Sequence, residues 1–351
     1  MNDDVNIETL NPLEDKRGAA DVKRLLGASG LEAEADVQVF VVARDRKKIV
    51  GCAGLAGGVV KCVAVAKERR GSSLAVRLMD EVQRLAMDRG QSHLFLYTQP
   101  ERAPLFEGCG FHRIVELAGH ACLMENTPAG IREYCDGLQA FRQKGQRIGC
   151  VVLNANPFTL GHLDLVRRAL RECDWLHVFV VAEEASTIRY ADRLDMVRAG
   201  LAGMNRVTVH GGSKYLISKA TFPTYFIKDS REVETSGTAI DLLIFRKYIA
   251  PALGITHRFV GSEPFCRVTR KYNEDMFEWL ERASVEGAPV HVVEIPRLEV
   301  EGRAVSASEV RRLLAKSDFA AMKTFVPPTT LSHLRAIYAL RTLSQAGHRS
   351  A

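Results

Sequence analysis

Two hydrophobic rhythms divide the chain. Up to about residue 125 the apolar positions come in short runs broken by glycine: VQVFVVARD (37–45), KKIVGCAGLAG (47–57) and GVVKCVAVA (58–66). These runs predict a meander of short strands with glycine turns. Leu74, Leu78, Val82 and Leu85 then recur at helical spacing and predict a helix over 73–88. HLFLYT (93–98) predicts a returning strand, and a short helix leads into FEGCGFHRI (106–114).

From residue 148 the rhythm becomes strand and helix in alternation. IGCVVL (148–153), WLHVFVVA (175–182), RVTVH (206–210), ITHRFVG (255–261) and VHVVEI (290–295) predict strands. Helices are expected near 161–172, 191–203, 237–250, 270–283 and 306–315. Such alternation predicts a parallel α/β sheet, whose active site should lie at the carboxyl ends of its strands. Between the two patterns, NTPAGIREYCDGLQAFRQKGQR (126–147) joins a Pro-Ala-Gly turn to a polar helical stretch and reads as a linker. The expected organisation is a domain over 1–125, the linker over 126–147, an α/β domain over 148–343 and a tail over 344–351. No internal repeat or low-complexity tract interrupts it.

Composition narrows the class. At 351 residues two domains are expected, and 46% apolar with 26% charged residues gives each half enough to bury a core. The acidic N-terminus, MNDDVNIETLNPLEDKRG, has no apolar stretch of the kind a secretory signal needs. The longest apolar runs, such as HVFVVA (177–182), are too short to span a bilayer. A cytoplasmic protein without a membrane partner is expected. Of the eight cysteines (Cys52, Cys62, Cys109, Cys122, Cys135, Cys150, Cys173 and Cys266), no two stand closer than ten residues. That spacing offers no Cys-x-x-Cys pair, so they read as small core hydrophobes and no metal site is expected. The net charge of +6 is modest, with small basic clusters at Arg167-Arg168-Arg171 and Arg311-Arg312-Lys316. No long basic run carries interleaved aromatics, so no nucleic-acid surface is expected, whereas a docking face for an acidic protein is compatible with the charge.

Candidate chemistry concentrates where the first α/β strand runs into NANPFTLGH (154–162) and then a helix. A strand that ends at a helix N-terminus presents free N–H groups and a positive dipole to an anion. Gly161 lets a ligand approach, Pro157 stiffens the turn, and His162 on the first helical turn can donate to a phosphate oxygen. The plainer alternative is a turn capped by Thr159 with an incidental histidine. Thr159-Leu160-Gly161-His162 resembles the (H/T)-x-G-H motif of the nucleotidylyltransferase superfamily. VSASEVR (305–311), at another helix start, resembles that superfamily's I-S-x-T/S-x-I/V-R motif. Ser306 or Ser308 can cap that helix, and Arg311 one turn in can offer a charged fork.

The first domain resembles the GNAT acetyltransferases over roughly 7–125. Arg70, Gly71 and Ala75 fit that family's R-x-x-G-x-G/A pyrophosphate loop, but Ser73 stands where the central glycine belongs. A Cβ there crowds a phosphate that must approach the backbone, so the fold is implied and acetyl-CoA use is not.

Longer strings narrow the resemblance further. LNANPFTLGH (153–162), KYLISKATFPTYFIKD (214–229), IAPALGITHRFVGSEPFCRVTRKYNEDM (249–276), VSASEVRRLL (305–314) and VPPTT (326–330) resemble the citrate lyase ligase family. That family joins a GNAT-like α+β domain to a Rossmann-like parallel-sheet nucleotidylyltransferase domain, so the resemblance spans nearly the whole chain. It implies an ATP-dependent ligase that activates acetate as acetyl-AMP. The acetyl group then passes to the prosthetic-group thiol of the acyl carrier subunit of citrate lyase, with release of AMP and diphosphate. ATP is then a substrate and Mg²⁺ its expected companion. By the same resemblance, His162 and Arg311 would act in catalysis. Asn154, Asn156, Thr159, Gly161, Arg193, Gly261, Glu263, Ser306 and Ser308 would join them around ATP. Lys214, Tyr215, Ser218, Thr221, Phe222 and Tyr225 are candidates for the acetate or thiol pocket, or else a loop held by aromatic packing. Two other activities stay open at this point. One is an adenylyltransferase acting on a pantetheine or nicotinamide nucleotide, and the other is an acetyl-CoA-dependent acetyltransferase.

Overall fold

The computed structural model describes residues 5–182, 186–216, 230–263, 267–300 and 302–347. The chain divides into two compact units: the residues up to Tyr134 group with the described stretch 230–240, and those from Cys135 to 216 group with Asp241 onward.

In the first unit the elements run β1 (Asn6–Leu10), α1 (Lys16–Ala28), β2 (Val39–Asp45), β3 (Lys48–Ala56), β4 (Val59–Val65) and α2 (Leu74–Asp88). They continue as β5 (Phe95–Thr98), α3 (Ala103–Glu107), β6 (His112–Leu117), β7 (Ala121–Glu125) and α4 (Gly130–Gln139). The strands form one seven-stranded sheet ordered β1-β2-β3-β4-β5-β7-β6. All neighbours are antiparallel except β4 and β5, which pair only at Val59↔Phe95 and Val60↔Leu96. Past those two positions the strands part, and a cleft of about 520 Å³ opens between Val63–Val65, the Arg69–Ala75 turn and Thr98–Arg102. This is the α+β arrangement implied by the GNAT resemblance. The three predicted strands and the predicted helix appear within two residues of their expected limits. β1 and α1 had no clear signal. NIETL carries too few apolar residues to stand out, and α1 buries only Gly18, Val22, Leu25 and Leu26.

The second unit is a parallel sheet. Its elements are β8 (Ile148–Leu153), α5 (Leu160–Arg171), β9 (Trp175–Val180), α6 (Tyr190–Leu201), β10 (Val207–His210), then, after α7 (Ser230–Ile244), which groups with the first unit as far as Ile240, α8 (Ala250–Leu253) and β11 (His257–Gly261). There follow α9 (Arg267–Met276), β12 (His291–Ile295), the small hairpin β13 (Glu299–Val300) and β14 (Arg303–Ala304), α10 (Ala307–Ala315), α11 (Phe319–Met322) and α12 (Pro328–Gly347). Five strands stand in the order β10-β9-β8-β11-β12, every pair parallel. The chain therefore builds outward from β8 to one side, then returns to build on the other. That reversal places a topological switch point between β8 and β11. A core of Phe158, Val166, Val178, Met196, Phe259, Val310 and Phe325 fills one side of the sheet.

Two predicted helices are not uniform. Wider π-helical turns occupy Phe245–Ile249 and Phe277–Arg282, after α7 and α9. Pro251 lacks the N–H that a regular helix needs four residues past Lys247, which favours a wider turn there. The buried Arg246 guanidinium caps the second of these turns, donating to the carbonyls of Trp279 and Ala283 at 2.9 and 3.0 Å.

The seven described cysteines are all free and buried. Burial pushes the thiols up, Cys62 and Cys122 to about 12 and Cys150 and Cys173 to about 11. Cys266 lies outside the described residues. Among the described residues, no helix is long and apolar enough to cross a membrane.

Candidate functional site

At the switch point the carboxyl ends of β8, β11 and β12 open into a cleft of about 300 Å³. Three segments close it: the loop from Leu153 into α5, the run Gly261–Glu263 after β11, and Pro296–Leu298 after β12. The start of α10, from Val305 to Ser308, forms the fourth wall. Two helix N-termini therefore border one cavity, and each adds a positive dipole end.

Local chemistry sets the first of these ends. Thr159 is extended and caps α5, while His162 three residues on completes a capping box. The Thr159 backbone N–H donates to His162 Nδ1 at 3.0 Å, and the Thr159 hydroxyl lies 2.9 Å from the same nitrogen. An Nδ1 that accepts from a backbone N–H carries no proton, so the ring proton sits on Nε2. Burial and the positive charge of Arg297 pull the His162 pKa down to about 4. The side chain is thus a neutral Nε2–H donor at neutral pH. The buried ring of Phe158 stacks 5.7 Å from it and fixes its plane.

Close packing binds the two motifs together. A Cβ on Gly161 would lie 3.3 Å from the Val305 carbonyl oxygen, so the glycine is what lets α5 start so near the second motif. Phe158 lies against Gly200 of α6, where a Cβ would come within 2.5 Å of the ring. The Leu160 N–H is taken by the Phe325 carbonyl at 2.8 Å. At the other helix, the Ser306 hydroxyl accepts from the Glu309 N–H at 3.1 Å and caps α10.

Eight of the sequence candidates line the cleft: Asn154, Thr159, Gly161, His162, Gly261, Glu263, Ser306 and Ser308. Three lie behind it. Asn156 is buried, and its side chain accepts from the Ile188 N–H at 3.2 Å. Arg193 is fully buried, and one guanidinium nitrogen donates to Asn154 O, Asn154 Oδ1 and Val181 O at 2.6, 2.8 and 3.0 Å. Those contacts place the guanidinium inside the loop and not on a helix surface. Arg311 donates to the Asn156 carbonyl at 2.6 Å and to the Ser308 hydroxyl at 3.0 Å. Lys214 is exposed and Tyr215 buried, and neither borders this cleft. Ser218, Thr221, Phe222 and Tyr225 lie outside the described residues.

The cation that does line the cleft is Arg297, which the motifs did not single out. It follows β12 directly, its Nη1 donates to Glu263 at 2.8 Å, and its backbone N–H donates to the Ser262 hydroxyl at 3.1 Å. The one available signal was position, an arginine two residues past a predicted strand end.

Known proteins resemble the chain along most of its length. The family profile of the citrate lyase ligase C-terminal domain matches residues 148–334, and that of the acetyltransferase (GNAT) domain matches residues 36–113. The [Citrate [pro-3S]-lyase] ligase of Escherichia coli (strain K12) is 47% identical over 90% of this chain and 90% of that protein. The chain belongs to the citrate lyase ligase family. The ligase of the same name from Klebsiella pneumoniae is 46% identical over 92% of this chain and 94% of its own. Escherichia coli ElaA, a solved structure, covers 35% of this chain and 99% of its own at 14% identity and a TM-score of 0.32. Within a citrate lyase ligase, the cleft lies entirely inside the matched C-terminal segment, and the β4–β5 opening lies inside or beside the GNAT segment.

Proposed function

We propose that the chain uses ATP to activate acetate and transfers the acetyl group to the prosthetic-group thiol of the acyl carrier subunit of citrate lyase. The observation that carries this reading is one cleft bordered by two helix N-termini, a neutral His162 donor and Arg297. Such a cleft suits a polyphosphate, and it offers positioning and charge stabilisation without an enzyme nucleophile.

The α5 N-terminus and Gly161 receive the α-phosphate, and the α10 N-terminus at Ser306–Ser308 receives the outer phosphates. An acetate oxygen attacks the α-phosphorus, the bond to the diphosphate breaks, and acetyl-AMP forms. His162 Nε2–H donates to the charge that builds on the phosphate oxygens. Arg297 supplies the positive charge that faces the diphosphate, exchanging part of its contact with Glu263. The carrier thiol, as thiolate, next attacks the acetyl carbon, AMP departs, and the thiol proton passes to solvent. Arg193 and Arg311 hold the loop that shapes the site.

Mg²⁺ belongs to the same proposal. Magnesium commonly binds through substrate phosphates, water and one or two carboxylates rather than a full protein cage. Asp164 and Glu263 are the carboxylates of this cleft, and among the described residues no cluster of three or more ligands forms. That donor set fits an ion that arrives with the nucleotide and shields its charge. The corresponding functional limits are 148–343 for the ligase domain and 1–125 for the GNAT-like domain.

Purified protein with ATP, Mg²⁺, acetate and hydroxylamine as acyl trap provides the test. Acetyl-hydroxamate that depends on both ATP and acetate is expected. Hydroxamate formed from acetyl-CoA alone would assign the activity to the GNAT-like unit instead.

A further inference from the structure

A second concavity lies in the first unit, away from the β4–β5 opening. It runs between α1, the β2–β3 turn and the residues after β4, with a volume of about 810 Å³. Buried Leu25, Ile49 and Ala66 form its floor. Charge is distributed unevenly around its rim. Three carboxylates line it, and each is already paired: Asp21 with Arg24, Asp45 with Arg69, and Glu68 with Lys48 at 2.7 Å. Arg17, Arg46, Lys47, Lys67 and Arg70 line the same groove, and none has a carboxylate within ion-pair distance among the described residues. These five cations come from all three walls.

Asp45 pairs with Lys48, so Arg46 and Lys47 alone make the β2–β3 connection. Arg46 takes the positive φ of +56° that a two-residue hairpin calls for, a conformation glycine adopts more readily. The occupant's chemistry follows from what else lines the groove. It contains no aromatic ring on which a base could stack. An apolar floor between cationic walls matches an amphipathic helix with an acidic face.

We infer that this groove docks an acidic amphipathic helix of a protein partner. Resting on the proposed function, that partner is the carrier subunit that accepts the acetyl group. Docking of this kind acts on encounter and affinity and leaves the chemistry in the ATP cleft untouched.

Two full-length variants test it. Arg46→Gly removes a cation and relieves the positive φ, so a folding defect is not expected; Arg46→Glu/Lys67→Glu reverses charge on two walls. Hydroxylamine-trapped turnover of ATP and acetate should match wild type in both. Binding to the thiol form of citrate lyase should weaken about threefold for the first and at least about tenfold for the second, with a matching fall in carrier kcat/KM. Unchanged affinity and kcat/KM would overturn the groove assignment. So would variants that lose affinity only for short single-stranded DNA. Absence of hydroxamate in the wild type would instead sink the proposed function, while the binding measurement would still decide the groove.

Discussion

The Arg311 guanidinium donates to the Asn156 carbonyl at 2.6 Å, tying the start of α10 to a loop 155 residues earlier. The two motifs are thus held together by the protein itself before any nucleotide binds. Arg311→Ala leaves that carbonyl without its partner, at a cost of roughly 1–3 kcal/mol. A lower Tm together with a higher KM for ATP is the expected result. Lost turnover with Tm and KM both unchanged would mean that Arg311 acts on the reacting phosphates directly.

Arg297 makes a separate prediction. A charge-assisted hydrogen bond contributes roughly 1.5–3 kcal/mol, so Arg297→Gln should lower kcat/KM for ATP about 10- to 100-fold. Arg297→Lys should recover part of it. Because the Arg297 charge helps depress His162, the variant's His162 should also titrate at higher pH by NMR. A variant with normal ATP kinetics and an unmoved His162 titration would remove Arg297 from the site.

His162→Ala should reduce turnover about 10²–10³-fold with little change in ATP affinity, as for loss of a donor aimed at developing charge. The pH profile separates its roles. With His162 pulled down to about 4, neutral Nε2–H donation persists through the usual histidine range. Hydroxamate formation should therefore show no inflection near pH 6.5 that His162→Ala abolishes. Such an inflection would mean that the imidazolium, rather than the neutral ring, does the work.

These assignments show where sequence reading reached and where it stopped. The strand–turn–helix placing His162 and the capped helix placing Ser306 are local, so residue order alone exposed them. The parallel sheet followed from alternation of strand and helix periods, and the GNAT-like unit from its meander and loop. Arg193 lies behind the cleft, and Arg297, which no motif singled out, lines it, because burial is a property of the packed loop. Arg193 turns inward to three oxygens supplied by Asn154 and Val181, which no pattern around residue 193 encodes. Arg297 enters the cleft only because β12 lies beside β11, a pairing settled by topology. β1 and α1 were missed because their apolar residues are few and gain burial only against the sheet.

Acetyl-CoA should bind the β4–β5 opening poorly. The Ser72 hydroxyl donates to the Arg69 carbonyl at 2.7 Å, folding the loop on itself, and Ser73 starts α2 with a Cβ where phosphate would approach. Calorimetric titration of the full chain should show no micromolar binding. Ser73→Gly should strengthen any weak binding that is present. Tight binding to the unmodified chain would revive the acetyl-CoA-dependent reading.

A buried histidine pair should make the second unit sensitive to acid. His177 Nδ1 and His210 Nε2 lie 2.9 Å apart, with His210 stacked on Phe179 at 4.6 Å and edge-on to Phe141 at 5.3 Å. Neither ring is appreciably exposed, and no carboxylate contributes to their environment. Burial pulls His177 to about 3, with help from the His210 charge, and pulls His210 to about 4. The unfolded chain keeps the ordinary histidine pKa near 6.5. Between pH 6.5 and 4 it therefore binds protons that the folded chain refuses, and stability falls as pH falls. The contribution is complete above pH 6.5, and its slope is at most about 1.4 kcal/mol per pH unit for each ring. Carboxylates also add acid sensitivity, so the comparison needs a variant. His177→Gln/His210→Gln should lower stability at pH 7.5 yet flatten the urea-midpoint profile between pH 6.5 and 4.5. An equally steep profile in the variant would mean that other groups set the acid limit.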